Sequence, residues 1–375
     1  LKTVLVVSLE SVAPGTAASQ HITGTEKRIS AIAQERFVPR RVSSNKGAFL
    51  RRLATVTRGV VLERCDIAFI RFHPLLAFHV GWLKLKGVPT VISLQGIPDS
   101  IYAKSVRREK LKPLIDLLIK LEAYWANVVI VPHVGVGVTS HETHGITANF
   151  VVPNGFSAVG EGDSNGEGQG GQLDGAACQE SDSKYVLFVG NFASWQGIPV
   201  MIEAAQDPRW PKGVRLIFVG DGALSEAVRQ AAATNAHIEY VGKTGPSGVK
   251  EYMSRAAITL SIQDRVDATK NGVTPFKVME SISYGTPVIV SALPGQSEII
   301  SQTGAGLVIE PGDPKALALA VKSLMTDETQ RLEEMTAAAN QAKDWFAWER
   351  GSCVLYEAFA AAEKKAHRVG TFNRP

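Results

Sequence analysis

Short, largely apolar runs recur along the chain, each pair separated by room for one helix. Val4–Ser8, Asp66–Ile70, Val88–Leu94 and Val128–Val131 mark the first part. Tyr185–Val189, Val214–Val219, Ile238–Val241, Ile258–Ile262 and Val288–Val290 mark the second. A strand that is apolar at every position has no face to show to water, so both faces must be covered. Segments of helical character supply the cover, among them Leu75–Leu85, Gly197–Ala205, Leu224–Ala233, Ser247–Arg255, Pro275–Tyr284 and Pro314–Leu324. The pattern predicts an α/β protein with doubly wound parallel sheets.

At 375 residues the chain exceeds one ordinary core and suits two. One stretch breaks the rhythm. Ser157–Ser183 is rich in Gly, Ser, Gln, Asp and Glu and almost devoid of large apolar side chains. It cannot bury a core, and is expected to be a flexible linker or disordered insertion. The expected division is therefore an N-terminal Rossmann-like domain over 1–156, the linker over 157–183, and a C-terminal Rossmann-like domain over 184–345.

Composition narrows the class further. No run of 18 apolar residues occurs, so no membrane-spanning helix is expected. Leu1–Val7 reads as a first strand and lacks the apolar core and cleavage site of a signal peptide. The chain opens on Leu rather than Met, so its true start is expected to lie upstream. Cys65, Cys178 and Cys353 are widely spaced, which argues against a disulfide framework or a zinc site and for a reducing cytoplasm. His141 and His144 share a helix face but lack a third ligand, so no metal site is expected. Net charge is +4, yet the first 150 residues hold roughly twenty basic and ten acidic side chains, which points to an anionic partner on that side.

The densest candidate chemistry is Thr274-Pro275-Phe276-Lys277-Val278-Met279-Glu280, closing on Gly285-Thr286-Pro287. Thr274 is a good N-cap, Pro275 suits the first helical position, and Gly285 is the expected stop. Lys277 adds a cation to the positive end of the helix, a placement that makes sense if an anion lies between them. Glu280, one turn on, is suited to accept hydrogen bonds from sugar hydroxyls such as a ribose. The competing reading makes Lys277 and Glu280 an exposed ion pair of a few tenths of a kcal/mol. Two further loops feed the same strand edge: Gly190-Asn191-Phe192-Ala193-Ser194-Trp195-Gln196-Gly197 and Gly220-Asp221-Gly222. Ligands of open α/β sheets collect at the carboxyl ends of strands, where glycine lets a phosphate approach the backbone.

Taken in order, these segments resemble the retaining GT-B glycosyltransferases of family 4, the glycosyl transferases group 1. The likeness is carried by Gly190 with Trp195-Gln196-Gly197, by Phe218-Val219-Gly220-Asp221-Gly222, and by Pro275-x-Lys277-x-x-Glu280 followed by Gly285-Thr286-Pro287-Val288-Ile289. Val152-Pro153-Asn154-Gly155 resembles the segment that closes the family's N-terminal domain, and Phe346-Ala347-Trp348-Glu349 the one that opens its C-terminal helix. The resemblance covers roughly 150–365 well and 1–150 only in rhythm.

The resemblance implies a GT-B fold, two Rossmann-like domains facing across a cleft, with 346–375 packing back toward the N-terminal domain. It implies that Lys277 and the Gly190 loop, with Asn191 and Gln196, meet the diphosphate and that Glu280 holds the ribose. Gly220 and Asp221 line the site, and Lys243 lies near the base. From the other domain Gly15 and Thr16 would approach the phosphate, and Gln95 occupies the place of a histidine that contacts the donor sugar. Lys277, Gln95 and Glu280 are the candidate catalytic residues. The expected donor is a nucleoside-diphosphate sugar, UDP- or GDP-linked, with no tightly bound cofactor and no metal, because protein cations and helix ends neutralise the leaving diphosphate.

Three departures from the family pattern stand out. Gly272 occupies the place of an earlier glutamate, and Asn191 and Gln196 stand where many relatives carry cations. Asn191 and Gln196, with the Gln95 substitution, favour an alternative, a catalytically weak or inactive GT-B homologue acting as a partner or regulatory subunit. A sugar-nucleotide epimerase is a further rival, but its acidic and histidine cluster is not visible. The basic residues Lys104, Arg107, Arg108, Lys110 and Lys112, followed by an apolar stripe, suit peripheral contact with an anionic membrane at its cytoplasmic face. Arg36, Arg40, Arg41, Lys46, Arg51 and Arg52 form a second basic stretch, without the interleaved aromatics of a nucleic-acid site. Trp345 and Trp348 read as core anchors, and His73 ends a strand near the expected cleft.

Overall fold

The structure, a computed structural model, describes residues 1–12, 16–43, 48–96, 111–156, 185–266, 269–273 and 276–370. Gly15, Thr274, Pro275, the Ser157–Ser183 stretch and the basic run from Lys104 to Lys110 lie outside the described residues. The chain divides into two compact units. The first takes the described residues of Leu1–Phe156, Asp267–Phe276 and Phe346–Pro375, and the second those of Ser157–Val266 and Lys277–Trp345.

In the first unit β1 (Lys2–Val7), β2 (Phe37–Val42), β3 (Ile67–Arg71), β4 (Thr90–Ser93), β5 (Val128–Val131) and β6 (Phe150–Val151) form one sheet in the order β2-β1-β3-β4-β5-β6. Every pairing is parallel, with Val4 opposite Ile67 and Ala68 opposite Thr90. Alternation across the pleat explains why these runs are apolar throughout. Leu5, Val7, Ala68, Ile70 and Ile92 enter one core cluster, while Val4, Val6, Ile67, Phe69 and Val91 enter another. Each such side chain contributes about 1.5–3 kcal/mol on full burial.

Helices α1 (Ala17–Ser30), α2 (Phe49–Leu62), α3 (Ala77–Leu85), α4 (Lys112–Trp125) and α5 (Val134–His144) wind this sheet. The edge strand β2 holds part of the second basic stretch. Arg40 and Arg41 sit on its pleat, paired with Glu63 and Glu26. Its Pro39 is tolerated because one side of an edge strand needs no ladder donor.

The C-terminal helix Ser352–Gly370 places Leu355, Ala358 and Phe359 in the cluster with Val4 and Val6. The turn before it is locked to the Pro-Asn-Gly segment. The buried Arg28 guanidinium donates to Trp348 O and Pro153 O, both at 2.7 Å, and lies 5.0 Å from the Trp348 ring. Phe156 N–H donates to Phe346 O at 2.7 Å. Trp348 is a core anchor at 3% exposure, whereas Trp345, at 43%, is not.

The second unit's sheet runs β12-β11-β10-β7-β8-β9, from β7 (Tyr185–Asn191), β8 (Arg215–Asp221), β9 (Ile238–Gly242), β10 (Ile258–Ser261), β11 (Val288–Ser291) and β12 (Gly306–Ile309). Counted from β7 this is the 3-2-1-4-5-6 order of dinucleotide-binding sheets, and the order reverses between β7 and β10. Covering helices include α6 (Ile198–Gln206), α7 (Ser225–Thr234), α8 (Pro246–Arg255) and α9 (Phe276–Ser283). Helix α9 buries Val278, Met279 and Ile282, and ends where Gly285 takes a left-handed φ of 76° and donates to Ile282 O. A side chain at Gly285 would also collide with Asn340, 2.5 Å from the position of its Cβ.

Candidate functional site

The reversal point of the second sheet is where several of the sequence-predicted residues meet. Strand β7 ends in Gly190-Asn191, β8 in Gly220-Asp221, and α9, entered after β10, carries Lys277 in its first turn. The two strand ends lie so close that a Cβ on Gly220 would stand 1.9 Å from Gly190 O. At Gly190 the missing side chain leaves space for the Lys277 ammonium, 3.3 Å from where its Cβ would be.

That ammonium donates to Gln196 Oε1 at 2.6 Å and sits 4.1 Å above the Phe188 ring. A charged hydrogen bond is worth about 1.5–3 kcal/mol and a cation–ring contact about 0.5–2. Stripping the ammonium of water costs several kcal/mol. Desolvation wins. It lowers the Lys277 pKa to about 7, against the opposing pull of Glu280. The Glu280 carboxyl is pushed up to about 7 by burial, with Lys277 acting the other way. The pair is therefore not an exposed surface bridge. Burial thus works against the charge on both groups, beside a helix start that adds positive potential. Such a place rewards an anion, which would restore the charge on Lys277.

Around this centre the other loops are ordered by their own hydrogen bonds. Asp221 Oδ1 accepts from Ser225 Oγ at 2.6 Å and from Gly222 N–H at 2.8 Å. Those bonds, with Lys243 and Arg229 near, hold its carboxyl below the usual range. Lys243 itself is exposed just past β9. Asn191 Oδ1 lies 2.4 Å from where a Gly222 Cβ would be, so the two loops meet without room for a side chain. Sequence reasoning missed Phe188, the ring beneath the ammonium, because it reads as one more core residue of β7. It also missed Gln263, buried just past β10 with an Oε1 that has no partner among the described residues.

Two predicted residues belong to the first unit and not to this cluster. Thr16 caps α1, its hydroxyl accepting from Ser19 N–H at 3.1 Å. Gln95 donates to Ser93 Oγ at 2.7 Å, and that hydroxyl lies 3.4 Å from His21 Nε2. Burial, with Arg71 and Arg28 near, holds the His21 ring well below its usual pKa. Among the described residues His21 Nδ1, Ser8 Oγ and Arg71 Nε, all at this carboxyl edge, are buried without a partner. His73 serves locally, accepting from Leu75 N–H through Nδ1 at 3.3 Å, while its own N–H points to Glu122 Oε1 at 3.4 Å. His144 Nε2 stands 3.1 Å from Asp116, and among the described residues no three His, Cys, Asp or Glu side chains stand close enough to hold a metal. Gly272 is buried with a φ of 128°, a conformation that a glutamate rarely adopts.

The family model described as glycosyl transferases group 1 matches residues 177–345. An uncharacterized glycosyltransferase of Methanocaldococcus jannaschii is 25% identical over 178 residues, 47% of each chain. The phosphatidyl-myo-inositol mannosyltransferase of Mycobacterium leprae is 25% identical over 186 residues, 48% of each. The match thus spans about half the length of these curated relatives. Among solved structures, Anabaena HepE in complex with UDP superposes with a TM-score of 0.68 at 15% identity, over 96% of this chain and 100% of that one. The same protein has been solved with UDP-glucose. The strand order, the glycine loops and these comparisons agree: residues 177–345 are similar to the glycosyl transferases group 1 family, and the chain has the GT-B fold.

Proposed function

We propose that the protein moves a sugar from a nucleoside-diphosphate donor, UDP- or GDP-linked, to a hydroxyl of a glycan, lipid-linked or small-molecule acceptor, with retention at the anomeric carbon. The observation that carries this reading is the desolvated Lys277 ammonium at the sheet's reversal point, beside Gly190 and Gln196. Lys277 and the start of α9 neutralise the departing diphosphate, so no metal is required. Glu280 binds ribose hydroxyls, as acceptor when ionised and as donor when protonated. Gly190, Asn191, Gly220 and Asp221 shape the phosphate approach, and Lys243 borders the base. Gln95, Gly15 and Thr16 serve the same donor from the first unit.

In the reaction the bond from the anomeric carbon to the phosphate oxygen breaks and the acceptor oxygen bonds the same face. The acceptor proton passes to the leaving phosphate. The pathway is bacterial-type polysaccharide or glycoconjugate synthesis on the cytoplasmic side. HepE, solved with UDP and with UDP-glucose, supports the donor class.

A thermal-shift panel of UDP, GDP, ADP and their sugar conjugates tests the proposal, since a ligand that binds the folded state raises its melting temperature. One base should give a clear shift, and Lys277→Ala should remove it. No shift with any nucleotide in a folded sample would overturn the donor site. A second reading, a GT-B protein without turnover, is favoured by Gln196, which holds Lys277 where many relatives have a cation. It would show as nucleotide binding without donor hydrolysis or transfer.

A further inference from the structure

An open parallel sheet leaves a crevice where its strand order reverses, because the loops on either side run in opposite directions. In the second unit that point lies between β7 and β10. The loop after β7 carries Gln196, the amide that holds the Lys277 ammonium at 2.6 Å. The loop after β10 carries Asp264, and Asp264 bridges the two. Its backbone N–H donates to Trp195 O at 3.0 Å, and its carboxylate accepts from Gly197 N–H. One residue thus grips both neighbours of Gln196.

The rest of the turn is tied as firmly. Gln196 N–H donates to Ala193 O at 3.0 Å. Gly197 holds a left-handed φ of 57°, and a Cβ there would stand 2.8 Å from the Ile262 side chain and 3.0 Å from Ile262 O. Only glycine lets the end of β10 lie this close. Asp264 is itself fixed from its other side. Gln263 N–H donates to Ser291 Oγ at 2.8 Å, and the Arg265 guanidinium donates to Ala292 O at 3.1 Å. The residues flanking Asp264 are therefore bonded at the end of β11. The carboxyl is only partly exposed, and burial raises its pKa above the ordinary value.

We propose that Asp264 is a positioning residue for the donor lysine: by gripping Trp195 and Gly197 it fixes the Gln196 amide, and through that amide the Lys277 ammonium. An ammonium has three protons to donate. Gln196 takes one and so sets the direction of the other two, which are left for phosphate oxygens. A glutamine on a loose loop would spend that hydrogen bond on ordering its own side chain. On a clamped turn the cation stands in place before the anion arrives. The inference rests on the reading of Lys277 as the diphosphate contact.

The test compares Asp264→Ala, Asp264→Asn, Gln196→Ala and the D264A/Q196A double variant, each in the full chain, by two measurements. Titration calorimetry with UDP and with GDP gives affinity. D264A and Q196A should each weaken binding by about tenfold. The double variant should lose no more than either alone, because both substitutions remove the same placement. D264N should bind like wild type, since its amide oxygen still accepts from Gly197 N–H. The second measurement needs no nucleotide. It follows the NMR resonance of Lys277 Cε in isotope-labelled protein, identified as the one that Lys277→Ala removes. That resonance should move in D264A to its place in Q196A, and stay where it is in D264N. Should D264A not fold, Asp264→Glu, which displaces the carboxyl by one methylene, replaces it in both measurements. Additive losses in the double variant, an unmoved resonance in D264A, or a D264N as weak as D264A would overturn the proposal. Wild type that binds neither nucleotide would overturn the donor reading alone, and the resonance would still decide how Lys277 is placed.

Discussion

The two units share one architecture and use it differently. Both have six parallel strands, the central ones apolar on both faces. The helices of the second unit present ion pairs to solvent: Arg229 with Glu226, Arg255 with Glu251, and Arg331 with Glu328. The comparable helices of the first unit present Leu50, Phe78, Leu85 and Tyr124, with cations around them. The carboxyl edges differ too. In the second unit glycine ends bring a desolvated lysine to the reversal point, whereas in the first the same edge holds neutral His21 and the orphaned atoms of Ser8 and Arg71. A doubly wound sheet supplies the position of a site, and a few side chains decide what it binds.

The largest test of that contrast is Lys277→Ala. It should cost about 10²–10³ in turnover, the scale of losing one preorganised charge-stabilising group. Wild-type kinetics would end the assignment. On the structural side, Arg28→Met should leave Trp348 O and Pro153 O without donors and destabilise the first unit by about 2–5 kcal/mol. Differential scanning calorimetry should show that loss while nucleotide binding to the second unit persists. Gln95→Ala is expected to lower kcat by about tenfold with little change in nucleoside-diphosphate affinity. Equal loss of both would place Gln95 outside the sugar contact.

The pH dependence follows from signs. Anion binding raises the Lys277 pKa from its free value of about 7, so a proton is taken up on binding. Affinity should fall as pH rises through about 7, and ionisation of Glu280 over the same range adds to the fall. Titration calorimetry in buffers of different ionisation enthalpy reads the uptake, and a buffer-independent enthalpy would refute it.

The smallest effect concerns stability. The folded pKa of Lys277 lies below its ordinary 10.5, so the unfolded chain binds that proton more tightly and the group lowers stability at neutral pH, a penalty that fades as pH rises toward 10.5. Lys277→Met should thus melt higher at neutral pH, by about 2–4 °C for each kcal/mol relieved, and lose the advantage in alkali. A lower melting temperature at every pH would show that the ammonium supports the fold.

Much of this was legible in residue order. Fully apolar runs announced two covered parallel sheets, and Gly285 marked the end of α9. The shared edge of Gly190, Gly220 and Lys277 followed from where the runs stop. Strands β2, β6 and β12 escaped notice because they lie at or beside sheet edges, where Pro39 and paired arginines look like loop. The state of Lys277 was not legible either. Only the fold places Phe188 beneath it and Gln196 beside it, and those neighbours turn a surface pair into a desolvated one. The exposed apolar faces of the first unit's helices were hidden for the converse reason, since a sequence pattern does not say which apolar stripe stays outside.

The hydrogen bond from Phe156 to Phe346 makes the second unit a parenthesis in the first. Apart from the short return at Asp267–Phe276, the chain leaves and re-enters at adjacent residues. For gene design this is an insertion with touching ends. A unit spliced between these points would have to keep the Asp267–Phe276 return, whose Asn271 donates to Thr139, and Arg28, Trp348 and Pro153 would hold the splice shut.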